Sequence, residues 1–144
     1  MSHLQQRDFI GSLKEKHPDF FEKKRVLEVG SLNINGTIRD FFKDCDYTGL
    51  DLGEGECVDV VCGGHEYKEP NNSYDVCASC ECFEHNPYWL ETFKNMIRLC
   101  KPNGLIFMTC ATTGRPEHGT RKSDAWAAPL CLDFDYYKNL TEKD

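Results

Sequence analysis

No stretch of this 144-residue chain approaches the roughly 20 consecutive apolar residues that a membrane-spanning helix requires. The opening MSHLQQRDFIGSLKEKH likewise has no apolar core of the kind that marks a secretory leader. Positive charge is scarce: 17 Lys and Arg stand against 24 Asp and Glu, and the formal charge of -7 opposes non-specific attraction to nucleic-acid phosphates. Internal repeats, low-complexity tracts and linkers are missing before the last apparent strand, which excludes solenoids and leaves one domain over residues 1–144. Cysteine, in contrast, is plentiful. Nine cysteines with no leader read as reduced thiols in a cytoplasmic protein.

Hydrophobic spacing supplies the organisation. Leu4, Phe9, Ile10 and Leu13 recur at helical spacing until His17-Pro18 interrupts them. RVLEVG (25–30) is a short apolar run suited to a buried parallel strand, and Ile38, Phe41 and Phe42 mark a following helix. Further strands are expected at Asp46–Leu52, Val58–Cys62, Tyr74–Ser79 and Leu105–Ala111. Between the last two, Asn86 and Pro87 predict a capped start for a helix whose inner face carries Leu90, Phe93, Ile97 and Cys100, with a turn at 101–104. Strands alternating with helices imply an α/β fold: a parallel sheet covered on both faces.

In such a sheet, ligands bind beyond the turn that follows the first strand. Here that turn is Glu28-Val29-Gly30-Ser31-Leu32, and Asp51 follows 21 positions after Gly30. A carboxylate about 20 residues beyond the turn can accept the two ribose hydroxyl protons of an adenosine. The G-x-G-x-x-G of dinucleotide sites is absent, because Leu32 stands where the middle glycine would admit a pyrophosphate. Glu28 beside the turn suits a cationic sulfonium and amino group better than two phosphates.

The segments LEVGSLNINGTIRDFF, YTGLDL, NNSYDVCASCECFEHNP and KPNGLIFMT, in this order and spacing, resemble class I S-adenosylmethionine-dependent methyltransferases. The resemblance covers residues 25–111 and implies a Rossmann-like sheet of order 3-2-1-4-5. It implies that Glu28, Gly30, Ser31, Asn35 and Gly36 surround the methionine portion of S-adenosylmethionine, and that Asp51 and Leu52 hold ribose and adenine. Gly64, His65 and Glu66 would lie near the adenine, with Cys80 and Glu81 facing the cofactor. One departure is Gly63-Gly64, where many relatives carry an acidic residue for the adenine amino group.

Methyl transfer from a sulfonium chiefly needs orientation, and a base only where the acceptor is protonated. His85 and His118 are the candidate catalytic bases. Cys77, Cys80, Cys82 and His85 can be written as a zinc motif, but a strand that alternates its faces would not converge them on one ion, so no metal is expected. Two alternatives stay open: a non-catalytic S-adenosylmethionine-binding or assembly domain, and an NAD-dependent oxidoreductase. The expected acceptor is a small molecule rather than nucleic acid or membrane. The family fold carries strands 6 and 7 after the fifth, and here Thr141 begins a capping pattern just before Asp144. We therefore expect a C-terminally truncated domain whose fifth strand, bearing Leu105, Ile106, Phe107 and Met108, is an edge that invites a homodimer.

Overall fold

The computed structural model describes residues 3–144. Helix α1 (Leu4–Lys16) starts where His3 Nδ1 accepts a hydrogen bond from the Gln6 N–H at 3.3 Å. It stops at His17, whose φ of -134° and ψ of 55° leave the helical region that a following proline disfavours. Five strands follow: β1 (Arg25–Val29), β2 (Asp46–Asp51), β3 (Val60–Val61), β4 (Tyr74–Cys80) and β5 (Cys100–Thr109). They form one sheet of order β3-β2-β1-β4-β5 in which every pairing is parallel. This is the Rossmann-like order expected from the sequence.

Alternation along the central strands divides the core in two. Val26, Val76, Ala78 and Phe107 face the layer built by α1 through Ile10, with Phe21 and Ile38. Leu27, Val29, Leu50 and Cys77 face the opposite layer, where helix α2 (Trp89–Leu99) brings Met96 and Leu99. Helices thus cover both faces, as a parallel sheet requires to bury its apolar sides. Cys77 and Cys80 fall into different layers of β4, as strand geometry predicts.

Several local expectations are corrected. The helix read from Ile38, Phe41 and Phe42 is only a 3-10 turn, Ile38–Phe41, because Phe42 is already extended and Asp44 adopts a left-handed φ of 52° just before β2. The third strand shortens from five residues to Val60–Val61, two exposed side chains at the sheet edge. Asn86 does not cap α2, which begins at Trp89 after Tyr88. Its Oδ1 instead accepts from the Tyr88 N–H at 2.8 Å while its Nδ2 donates to Thr92 Oγ1 at 2.9 Å, so it pins the preceding turn. The turn at 101–104 is an irregularity within β5: the register runs from Tyr74↔Cys100 to Val76↔Leu105, with Asn103 at a left-handed φ of 63°.

β5 is an edge strand in the sheet order, but its side chains are not bare. Phe107 is buried, and Leu105, Ile106 and Met108 are half-buried. Leu140 joins the α2-side core, and its N–H donates to the Ala111 carbonyl at 2.9 Å. Residues 112–144 therefore fold back on the sheet end as a chain of turns, including the 3-10 segments Ala125–Ala127 and Pro129–Cys131.

Candidate active site

β1 pairs with β2 on one side and β4 on the other, so the chain must turn out of the sheet where its neighbours diverge. Gly30 makes that turn at a left-handed φ of 79°. A Cβ there would stand 2.6 Å from the Cβ of Cys82, so both conformation and space demand glycine. The N–H groups of Gly30 and Ser31 both donate to the Leu50 carbonyl, at 2.9 and 3.0 Å.

Asp51 ends β2 at this mouth. Its Oδ2 accepts from the Leu32 N–H at 2.9 Å and its Oδ1 from the Leu52 N–H at 2.8 Å, which ties the β1 turn to the end of β2. An ionised carboxylate offers about four acceptor sites, so both oxygens retain capacity for ribose hydroxyls. Burial raises the Asp51 pKa, opposed by those two amide donors.

The expected site residues divide into groups. Gly30, Asp51, Leu52, Gly64 and His65 line one side of a narrow cleft together with Phe134, while Gly30, Asp51, Glu81 and His85 line the other. Asn35 and Glu81 border a separate opening of about 590 Å³ with Gln6, Thr109 and Arg115. Glu81 holds a left-handed φ of 54°, a conformation that non-glycine residues adopt at a cost and that clusters at functional sites. Glu66 lies on a different surface, near Asn95 and Arg98.

Glu28, Ser31, Gly36 and Cys80 line none of these spaces. Ser31 is buried with its Oγ toward β2, where a Cβ on Gly49 would meet it at 2.6 Å. The Gly36 N–H is held by Asn33 Oδ1 at 2.7 Å, and Cys80 packs in the α1-side core. Glu28 is turned inward, where Tyr47 donates its hydroxyl to Oε2 at 2.6 Å. Tyr47 lies on β2 opposite Val26, two positions before Glu28 on the same face of β1, a pairing that requires the sheet register and not the sequence alone.

Two features go beyond the sequence reading, which places only the loop 112–137 as a whole near this mouth. The segment Ala127–Leu130 with Cys131 sits in the cleft beside Asp51, leaving spaces of only about 30 and 40 Å³ on its two sides. A drug-sized ligand occupies roughly 300–1,000 Å³, so an adenosyl group fits here only after this segment shifts. The second is the meeting of His85 with His118, whose ring centroids lie 4.9 Å apart beneath Tyr137. Glu84 joins them, fully buried, with Oε1 accepting from the Ala111 N–H at 3.2 Å. Burial, aided by the neighbouring His118, holds His85 down at about 4 and so uncharged at neutral pH.

Comparison with known proteins places this geometry. A family model described as a methyltransferase domain matches residues 1–130, and the chain belongs to that family. Its fold is the class I, Rossmann-like fold of S-adenosylmethionine-dependent methyltransferases. Among solved structures it is similar to Haemonchus contortus phosphoethanolamine N-methyltransferase 2 in complex with phosphomonomethylethanolamine and S-adenosylhomocysteine. That match has a TM-score of 0.63 and 21% identity, and covers 95% of this chain and 34% of that one. It is similar also to Burkholderia thailandensis 1,6-didemethyltoxoflavin-N1-methyltransferase, with a TM-score of 0.58, 16% identity, and coverage of 78% and 63%. The cyclase SpnF shares the fold at a TM-score of 0.61 and 15% identity, covering 81% of this chain and 51% of that one. The chain thus spans less than two thirds of each of these structures. A search of curated proteins returned no match. No helix among the described residues is long and apolar enough to cross a membrane.

Burial pushes the Glu28 carboxyl up to about 7 against the lowering effect of the Tyr47 hydroxyl. The folded chain then keeps a proton that the unfolded chain, near 4.5, has already lost, so Glu28 subtracts stability as pH rises from about 4.5 to 7 and by a constant amount above. Glu28→Gln keeps an oxygen for the Tyr47 hydroxyl and removes the ionisation. It should gain stability over the parent by on the order of 2–3 kcal/mol at pH 8 and little at pH 4.5. Urea unfolding at the two pH values checks this, and an equal effect at both would contradict the buried, titrating carboxyl.

Proposed function

We propose that this domain binds S-adenosylmethionine at the β1–β2 mouth and transfers its methyl group to a small-molecule acceptor. The observation that carries the reading is Asp51, fixed by two backbone amides beside a glycine turn that a Cβ would block. The cofactor supplies a methyl group already activated on a sulfonium. The chain's own task is then to bind, orient and exclude water. Asp51 accepts from the ribose hydroxyls, Leu52 and His65 border the adenine, and Gly30, Asn35 and Glu81 face the methionine end. The opening of about 590 Å³ beside Glu81 receives the acceptor, with Arg115 at its rim. Its net negative chain charge favours a small or cationic acceptor over a polyanion.

The named methyltransferases of similar fold, which act on phosphoethanolamine and on a toxoflavin precursor, support a small-molecule acceptor. Glu28, Ser31, Gly36 and Cys80 act behind the surface, shaping the turn and core. Glu66, on another surface, has no part in this reading. Uncharged His85, reached from the same cleft as Gly30 and Glu81, is the group placed to accept a proton from a hydroxyl acceptor, with His118 behind it. Cytoplasmic residence is part of this proposal, supported by the abundance of cysteine in the chain.

Calorimetry should show S-adenosylhomocysteine binding with no comparable affinity for NAD, and Asp51→Ala should weaken it by about 1.5–3 kcal/mol while the chain stays folded. Preferential NAD binding, or an unchanged affinity in the variant, contradicts the assignment. Displacement of residues 127–131 on binding should alter the emission of Trp126, which is exposed and adjoins them. A Trp126→Phe chain that gives the same ligand-induced change as the parent would remove that coupling. We also propose that two copies of the chain pair through the outer backbone groups of β5. Sedimentation that stays monomeric as concentration rises would exclude this pairing.

A further inference from the structure

Glu84, His85 and His118 come together across a long loop, and one donor atom from each lies within 4.8 Å of the others. All three are buried, and two of their polar atoms have no hydrogen-bond partner: Oε2 of Glu84 and Nδ1 of His85. Desolvating such atoms without a partner is unfavourable, so two of them in one buried cluster mark a missing ligand rather than ordinary packing. His85 would be satisfied by donating to Glu84, yet no such bond is made.

The third residue is oriented from behind. His118 Nδ1 lies 3.0 Å from the Pro116 carbonyl, which can only accept, so that nitrogen carries the proton and Nε2 presents its lone pair. A carbonyl that fixes the tautomer of an imidazole in this way is the usual outer support of a metal-bound histidine. Glu84 is steadied likewise, with Oε1 held by the Ala111 N–H and Oε2 left over. The loop is shaped around the pair: Gly119 has a left-handed φ of 67°, and a Cβ there would stand 2.6 Å from Cε1 of His85. Tyr137 closes the group from the outside.

We propose that Glu84, His85 and His118 bind one divalent transition-metal ion through two neutral imidazoles and a carboxylate. Mixed nitrogen and oxygen donors of this kind suit Zn²⁺, Co²⁺ or Fe²⁺ and leave coordination positions for an outside ligand. His85 also borders the cleft that contains Glu81 and Asp51, so an oxygen or nitrogen donor of a bound small molecule is the class of ligand that can reach the ion. The assignment gives the two histidines a ligand role that competes with proton acceptance, and it stands whether or not the cleft holds S-adenosylmethionine. It departs from the sequence-based expectation of no metal, and uses none of the cysteines of the discarded motif.

Co²⁺ titrated into the whole chain, without cofactor and under reducing conditions, separates this site from adventitious thiolate binding. One equivalent should bind with visible d–d bands and without the near-ultraviolet charge-transfer band of thiolate ligation. Glu84→Gln and His118→Asn, each confirmed folded by circular dichroism, should weaken binding at least 10-fold, and Zn²⁺ should displace the Co²⁺. Absence of bands in the parent chain, thiolate charge transfer, or unchanged binding in a folded variant would overturn the proposal. The parent spectrum decides the matter even where a variant fails to fold. S-adenosylhomocysteine calorimetry on the same sample tests the cofactor reading separately.

Discussion

The functional end of this molecule depends on the reversal of strand order at β1. Because β2 lies on one side and β4 on the other, the chain segments leaving these strands diverge and a crevice opens where β1 ends. Asp51 braces that crevice by accepting from Leu32 and Leu52, so a single carboxylate secures the turn and lines the cleft. Gly30 permits the turn, and Cys82 fills the space that any larger residue would take.

Carboxylates near the crevice have separate roles set by their surroundings. Asp51 faces the mouth with amide donors, whereas Glu28 turns into the α1-side core and meets only Tyr47. Glu84 is buried on the far side of the cleft, with its pKa raised to about 7, mainly by that burial. Charge alone does not distinguish them. Their hydrogen-bond donors and their distance from water do, since a buried carboxylate without sufficient donors retains its proton.

The segment after β5 connects fold to function. Through Leu140 it covers the α2 side of the last strand, through Ala127–Cys131 it enters the cleft beside Asp51, and through His118 it completes the cluster with Glu84 and His85. One irregular stretch thus reaches the sheet edge, the cleft and the histidine cluster. It is held by turns and scattered hydrogen bonds rather than by a sheet ladder, which is the construction expected of a segment that moves.

The sequence by itself determined the alternation of strands and helices, the Gly30 turn and the spacing to Asp51, because apolar periodicity and a glycine at a strand end report local geometry directly, while the strand order rested on the family resemblance. It was less informative where tertiary packing overrides local preference: the Phe42 side chain stacks on Phe21 at 4.7 Å instead of extending a helix, and Asn86 pins a turn instead of capping one. Nothing in the residues near Glu28 announced that Tyr47 would bond it, since that pair exists only in the β1–β2 register. The meeting of His85 with His118 and the placement of Ala127–Cys131 over Asp51 were decided by tertiary structure alone. Both depend on how a long irregular loop folds back on the sheet, and no local periodicity encodes that path.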